Sequence, residues 1–358
     1  MKRNLLTAGF STLLAVLPIA CTQLFQPCGS GHIPDTQALQ KNLKGHIYTL
    51  ADTIGERNLY HEEANRQAID YICSEFRSMG YEPEQQAFTV GKEARFGPAA
   101  GKTAVNIEVR RPGTDPKAPW LIIGAHYDTR AGMKNWHDTN GLIPGKTGTP
   151  GANDNGSGIA AVLELARIFR HLPTRSGIVF VCYANEEPPF FQTEAMGSLV
   201  HAGRIVKELG KNNIMGMYTP ETLGCYSPRV NKKRKTAMVA GMAGLPDRCD
   251  YVAFMSTNTG RDFSRRCASL FTEQCRFPVR SAAFPYYTKG VAWSDDWSYM
   301  KYGIPSFAVT DTAYLRSDDY HETSDTPEKI DYREYAEVVQ GLAKMTRKLL
   351  EAVPTTKD

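Results

Sequence analysis

The chain has 358 residues, 42% of them hydrophobic and 22% charged, which is ordinary for a globular fold and long enough for one large domain or two smaller ones. Its formal charge of +4 becomes +2 if Lys2 and Arg3 leave with a leader. The longest basic tract, NKKRK at 231–235, is short and reads as a solvated turn, so no nucleic-acid partner is expected.

The chain opens with MKRN followed by a mostly apolar run over 5–20, too short for a comfortable membrane span. That combination predicts an export signal over 1–20. Cys21 directly after Ala20 makes it a candidate lipid anchor, although Pro18 departs from the usual lipoprotein box. Residues 21–50 are read as an N-terminal arm or tether and 51–358 as one catalytic domain. The product is expected outside the cytoplasm, periplasmic or held at a membrane as a lipoprotein.

Eight cysteines are scattered without a C-x-x-C pair, so zinc-ribbon and thioredoxin-like chemistry are unsupported. Cys267 and Cys275 are close enough in sequence to form a bridge.

Residues 58–79 carry apolar positions at helical spacing and stop at Gly80, predicting an amphipathic helix. YEPEQQAFTV and the alternating TAVNIEVRR follow as strands, and WLIIGAHYD reads as a central strand buried on both faces. Residues 132–150 form a polar loop. Its GLIPGKT is one residue short of a phosphate-loop spacing, and no strand leads into it. A helix over 157–172 and a second buried strand, SGIVFVCYANEE, complete a strand–helix–strand unit. KELGKNNIMGMY, YVAFMST, FPVRSAAF and IPSFAVT are further strand candidates, and ASLFTEQ and the stretch after Asp331 are helices. The pattern predicts a three-layer α/β fold, with a central, mostly parallel mixed sheet and helices on both faces.

Ligands in such sheets gather beyond the carboxyl ends of the strands. His126 and Asp128 follow one buried strand, and Glu186 and Glu187 follow another, so they share a rim. Asp154 sits in a glycine-rich turn before a helix. Imidazole with carboxylates suits zinc, and Asp128 is placed to receive the other ring proton of His126. The adjacent glutamates allow two roles, one binding metal and the other holding a proton. Five ionisable groups at strand ends would be electrostatically costly without a cation. Glu221 in GMYTPETLG and His321 in DDYHETSDT supply what a second ion would need.

The ordered set GAHYDT, GANDNGSG, NEE, WSDDWSY, GIP, TDTAYLR and YHETSDT resembles the co-catalytic zinc aminopeptidase family over about 58–350. That family embraces exported bacterial aminopeptidases with glutamate carboxypeptidase and glutaminyl cyclase relatives. The resemblance implies two zinc ions per chain, with His126 and Glu221 on one, Glu187 and His321 on the other, and Asp154 bridging both. It implies Glu186 as general base and short peptides with a free N-terminus as substrates. Glutaminyl cyclase, carboxypeptidase and a non-enzymatic peptide-binding lipoprotein are the alternatives.

Three features depart from the family pattern. Asp296 stands where relatives often carry histidine, Asp318 and Asp319 add negative charge before His321, and the 132–150 loop is long, with Trp136 or His137 placed to cover the pocket.

Overall fold

The structure is a computed structural model that describes residues 32–132, 146–230 and 244–351. Its strands are β1 (Glu84–Thr89), β2 (Thr103–Arg111), β3 (Trp120–His126), β4 (Ile178–Tyr183), β5 (Ile214–Glu221), β6 (Ser227–Val230), β7 (Arg248–Cys249), β8 (Val252–Thr257), β9 (Val279–Phe284) and β10 (Ser306–Thr310). All but β6 and β7, which pair with each other, join one sheet in the order β1-β2-β4-β3-β5-β10-β8-β9. The central pairs β4–β3, β3–β5 and β5–β10 are parallel, as is β8–β9, while β1–β2, β2–β4 and β10–β8 are antiparallel. The mostly parallel mixed sheet read from the sequence is thus the observed one.

Alternation along the central strands sorts their side chains into two apolar layers. Leu121, Ile123, Ile178 and Phe180 pack with α1 (Thr36–Ile47), α2 (Glu62–Ser78), α3 (Gly158–Phe169), α5 (Arg261–Gln274) and α8 (Tyr332–Glu351). Ile122, Val179 and Val181 face the other way, against α4 (Gly197–Leu209) and Tyr299 of α6 (Asp296–Lys301). A last short helix, α7 (Ala313–Arg316), follows β10. Because three central strands run parallel, His126, Tyr183 and Glu221 end them on the same rim.

Several expectations change. Residues 36–50 are not a tether: Leu39, Leu43 and Ile47 recur every four residues, lie on one face of α1 and are fully buried, as is Leu50. Of KELGKNNIMGMY, the first seven residues end α4 and turn into β5, so only IMGMY is strand. Cys267 and Cys275 are free thiols, not a bridge. The expected export signal over 1–20, Cys21, NKKRK, Trp136 and His137 lie outside the described residues. No helix among those described is long and apolar enough to cross a membrane.

A buried polar cluster fastens α1 to α3. Glu164, fully buried, accepts from Arg167 Nε at 2.8 Å and Asn42 Nδ2 at 3.1 Å, and His46 Nε2 lies 3.4 Å away. Burial alone would raise the Glu164 carboxyl, but Arg167 and His46 bring it down to about 2. A carboxylate depressed in the fold stabilises it above the ordinary value of 4.5, and this contribution fades as pH falls toward about 2. Glu164→Gln is therefore expected to cost stability near pH 7, with the difference from wild type shrinking as pH falls through 4 toward 3, as measured by urea denaturation at each pH.

Candidate active site

Each predicted ligand is delivered by a strand end or by a turn. His126 closes β3 and is almost fully buried. Glu186 and Glu187 follow β4 after Asn185, whose φ of 59° turns the chain sharply across the sheet rim. Asparagine is among the few non-glycine residues that adopt this conformation readily. Thr222 (φ 50°) after Glu221, and His321 itself (φ 61°), sit in the same left-handed region. Such backbone costs of order 1–3 kcal/mol each and persists where the surroundings over-determine it.

Asp154 lies in the turn Ala152–Ser157 that leads into α3. Gly158 lets that turn press against β5: a Cβ there would meet Asn155 Oδ1 at 2.3 Å and the Pro220 carbonyl at 2.4 Å. Asn155 in turn donates to the Pro220 carbonyl and to Glu221 Oε2, both at 3.0 Å, and Ser294 Oγ donates to the same Glu221 oxygen at 2.7 Å.

These elements bring the predicted residues together. His126 Nε2 lies 3.3 Å from Asp154 Oδ1, 3.3 Å from Glu221 Oε2 and 3.8 Å from Glu186 Oε2. His321 Nε2 lies 2.9 Å from Asp154 Oδ2 and 3.4 Å from Glu187 Oε1. Two groups of potential ligands result, His126–Asp154–Glu221 and Asp154–Glu187–His321, with the donor atoms of each within 4.8 Å of one another. Each offers one imidazole and two carboxylates, a donor set that suits zinc. Asp154 alone belongs to both groups.

Unmet bonding capacity supports the same fit. His126 Nε2, Asp154 Oδ2 and Glu187 Oε1 are buried and make no hydrogen bond, although such groups are ordinarily satisfied. Burial would lower the His126 imidazole, yet Glu186 and Glu221 raise it well above its ordinary value. A metal ion bound at these imidazoles would take the place of a proton on each ligating nitrogen. Burial, opposed by His126 and reinforced by Glu187 and Glu221, pushes the Glu186 carboxyl well above the usual range.

Asp128 has a different role from the one expected. His126 Nδ1 bonds to the backbone carbonyl of Asp128 at 3.0 Å, and the carboxylate stands farther off, at 3.6 Å. The carboxylate instead accepts the backbone N–H groups of Glu186 and Glu187, at 3.0 and 3.1 Å. One residue thus orients the imidazole through its main chain and the glutamate pair through its side chain.

Sequence reasoning missed two other supports. Asp325 accepts the backbone N–H groups of Asn153 and Asp154 at 2.9 and 3.0 Å. Asp311 accepts from Asn153 Nδ2 at 3.0 Å and from the backbone N–H of Cys225 at 2.7 Å. Asp311 stands in TDTAYLR and Asp325 in YHETSDT, two of the ordered motifs, and neither carries a local signal beyond its place there. Partners behind metal ligands typically carry about 10–100-fold of metal affinity. Asp128→Asn is accordingly expected to weaken zinc binding by about that factor while leaving the far-ultraviolet circular dichroism unchanged, as read by chelator competition.

The profile of Peptidase family M28 matches residues 106–346. An uncharacterized protein of Escherichia coli K12, YfbL, is 29% identical over 319 residues, covering 87% of this chain and 89% of its own. Among solved structures, the zinc aminopeptidase BSAP of Bacillus subtilis superposes with a TM-score of 0.65 at 12% identity, over 89% of this chain and 97% of that one. A glutaminyl cyclase from an Acidobacteriales bacterium does so at 0.60 and 18%, over 90% and 97%. The two solved structures establish the shared fold. With the family profile spanning β2 to α8, the chain belongs to Peptidase family M28.

Proposed function

We propose that the chain is a co-catalytic zinc exopeptidase that removes the N-terminal residue from short peptides. The observation that carries this reading is the pair of ligand groups sharing Asp154, with Glu186 beside them and outside both. His126, Asp154 and Glu221 would hold one ion, and Asp154, Glu187 and His321 the other. Bound there, a zinc pair supplies Lewis acidity that polarises a peptide carbonyl and makes water more acidic.

The chain's own residues do the rest. Burial makes the Glu186 carboxylate a stronger base than an exposed one, so it accepts the proton of the attacking water and passes it to the departing amine. Asp128 keeps Glu186 and Glu187 in register by gripping their two amides. The abundance of acids on the rim favours a substrate that presents a protonated amine, which agrees with a free N-terminus.

The apolar 5–20 run after MKRN supports export, and Cys21 supports a lipid tether outside the cytoplasm. The catalytic unit is taken to include α1, since α1 packs into the same core.

Glu186→Gln is expected to leave two zinc ions per chain while turnover falls by about 10²–10⁴-fold. N-acetylation of a peptide substrate is expected to abolish most of its hydrolysis by the wild-type enzyme. Ammonia release from an N-terminal glutamine, with one zinc per chain, would replace this reading with cyclisation.

A further inference from the structure

The turn that carries Asp154 is held from two sides by groups of opposite charge. On one side Asp325 takes the amides of Asn153 and Asp154, and its own carbonyl accepts the amide of Ala152 at 3.1 Å. On the other side stands Arg57, which precedes α2 and lies outside the family-matched residues 106–346. Its side chain is completely buried. Arg57 Nη1 donates to the Pro150 carbonyl at 2.7 Å and Nη2 to the Gly151 carbonyl at 2.9 Å. Nη1 also reaches the carbonyls of Leu50 and Gly55, at 3.1 and 3.2 Å.

The main chain of Arg57 is tied to a second loop of the site. Its N–H donates to Thr129 Oγ1 at 3.0 Å, its carbonyl accepts the N–H of Thr129 at 2.9 Å, and Asn58 Nδ2 donates to the Thr129 carbonyl at 3.0 Å. Thr129 follows Asp128, the residue that orients Glu186 and Glu187. One arginine therefore joins the Asp154 turn to the Asp128 loop through hydrogen bonds to backbone on both.

Burying a guanidinium completely is costly, and such groups are kept where their planar fork meets several acceptors. Arg57 could bond to water from the surface at far lower cost. Four carbonyls from two segments, Leu50 and Gly55 on one and Pro150 and Gly151 on the other, converge on it instead, with Asp128, Asp154 and Asp325 close enough to act on its charge. Gly151, at φ 63°, starts the turn, so fixing its carbonyl sets the path of the three residues that lead to the Asp154 carboxylate.

We propose that Arg57 is a positioning residue for the metal centre, clamping with Asp325 the backbone that presents Asp154 to both ligand groups. The inference rests on the two-ion reading given above. Because Asp154 is the single residue shared by the two groups, loosening its turn weakens both ions together.

The test is zinc affinity measured by chelator competition on the full chain, at a temperature where circular dichroism shows the protein folded. Arg57→Lys keeps the charge and loses the fork. It is expected to lower the affinity for both zinc ions in parallel by about 10–100-fold, and to shrink the rise in melting temperature that added zinc produces. A residue that merely supported the fold would lower the metal-free melting temperature and leave zinc affinity unchanged. Thr129→Val removes the acceptor of the Arg57 N–H alone and is expected to give a smaller fall of the same kind, which keeps the test decisive should Arg57→Lys fail to fold. Wild-type affinity in folded Arg57→Lys, or in Thr129→Val if that is the variant obtained folded, overturns the clamp, as does a fall confined to one ion. A wild-type chain that binds no zinc overturns the two-ion reading and the clamp with it.

Discussion

Two imidazoles face one carboxylate, and the rest of the site is arranged around that encounter. Asp154 presents one oxygen to His126 and the other to His321, from a position with almost no exposure to water. Burial by itself would raise its pKa, and the two histidines hold it well below the usual carboxylate range instead. Around this centre Glu186, Glu187 and Glu221 bring further negative charge into the same dry space. Unpaired buried charge costs several kcal/mol per ion, so a collection of this kind is tenable where cations, protons or metal, are held among its members. The acid-rich rim is thus a feature the fold must support with considerable backbone precision.

The support comes mainly from main-chain groups. Asp128 and Asp325 each take two consecutive amides, Arg57 takes carbonyls, and Asn153 and Asn155 bond to the chain following β5 as well as to side chains. Bonds to backbone fix a loop whatever its own side chains are doing, which leaves the carboxylates of Glu187 and Asp154 to face the metal groups, while Asn155 and Ser294 aim that of Glu221. The parallel centre of the sheet makes this economical. Three strand ends lie side by side, and the loops that leave them need travel only a few residues before they meet.

Much of this was legible in the sequence because buried parallel strands announce themselves as unbroken apolar runs. IIGAH and IVFVCY could be placed, and the polar residues after each run followed as rim positions. The six residues His126, Asp154, Glu186, Glu187, Glu221 and His321 were identified in this way or through the order of their motifs, and the structure gathers them. The side-chain role of Asp128 was not legible, since which of its oxygens faces the imidazole depends on the curl of the loop. Arg57 carried no local signal: an arginine between two polar residues ordinarily faces water, and its burial follows from a turn nearly a hundred residues away. The stripe of Leu39, Leu43 and Ile47 is present in the sequence, but the polar, glycine-containing stretch before it carries no helix signal, and a tether over 21–50 is the simpler reading of that region. Asp296, one of the departures from the family pattern, is fully buried, and burial and Asp295 push its carboxyl well above the usual range. No interaction among the described residues explains the choice of aspartate there.

The most direct test of the shared-aspartate centre is anomalous diffraction at the zinc edge from crystals of the zinc-loaded protein. Two peaks are expected, one among His126, Asp154 and Glu221 and one among Asp154, Glu187 and His321, with the Asp154 carboxylate between them. A single peak, or a second one away from Asp154, would contradict the account.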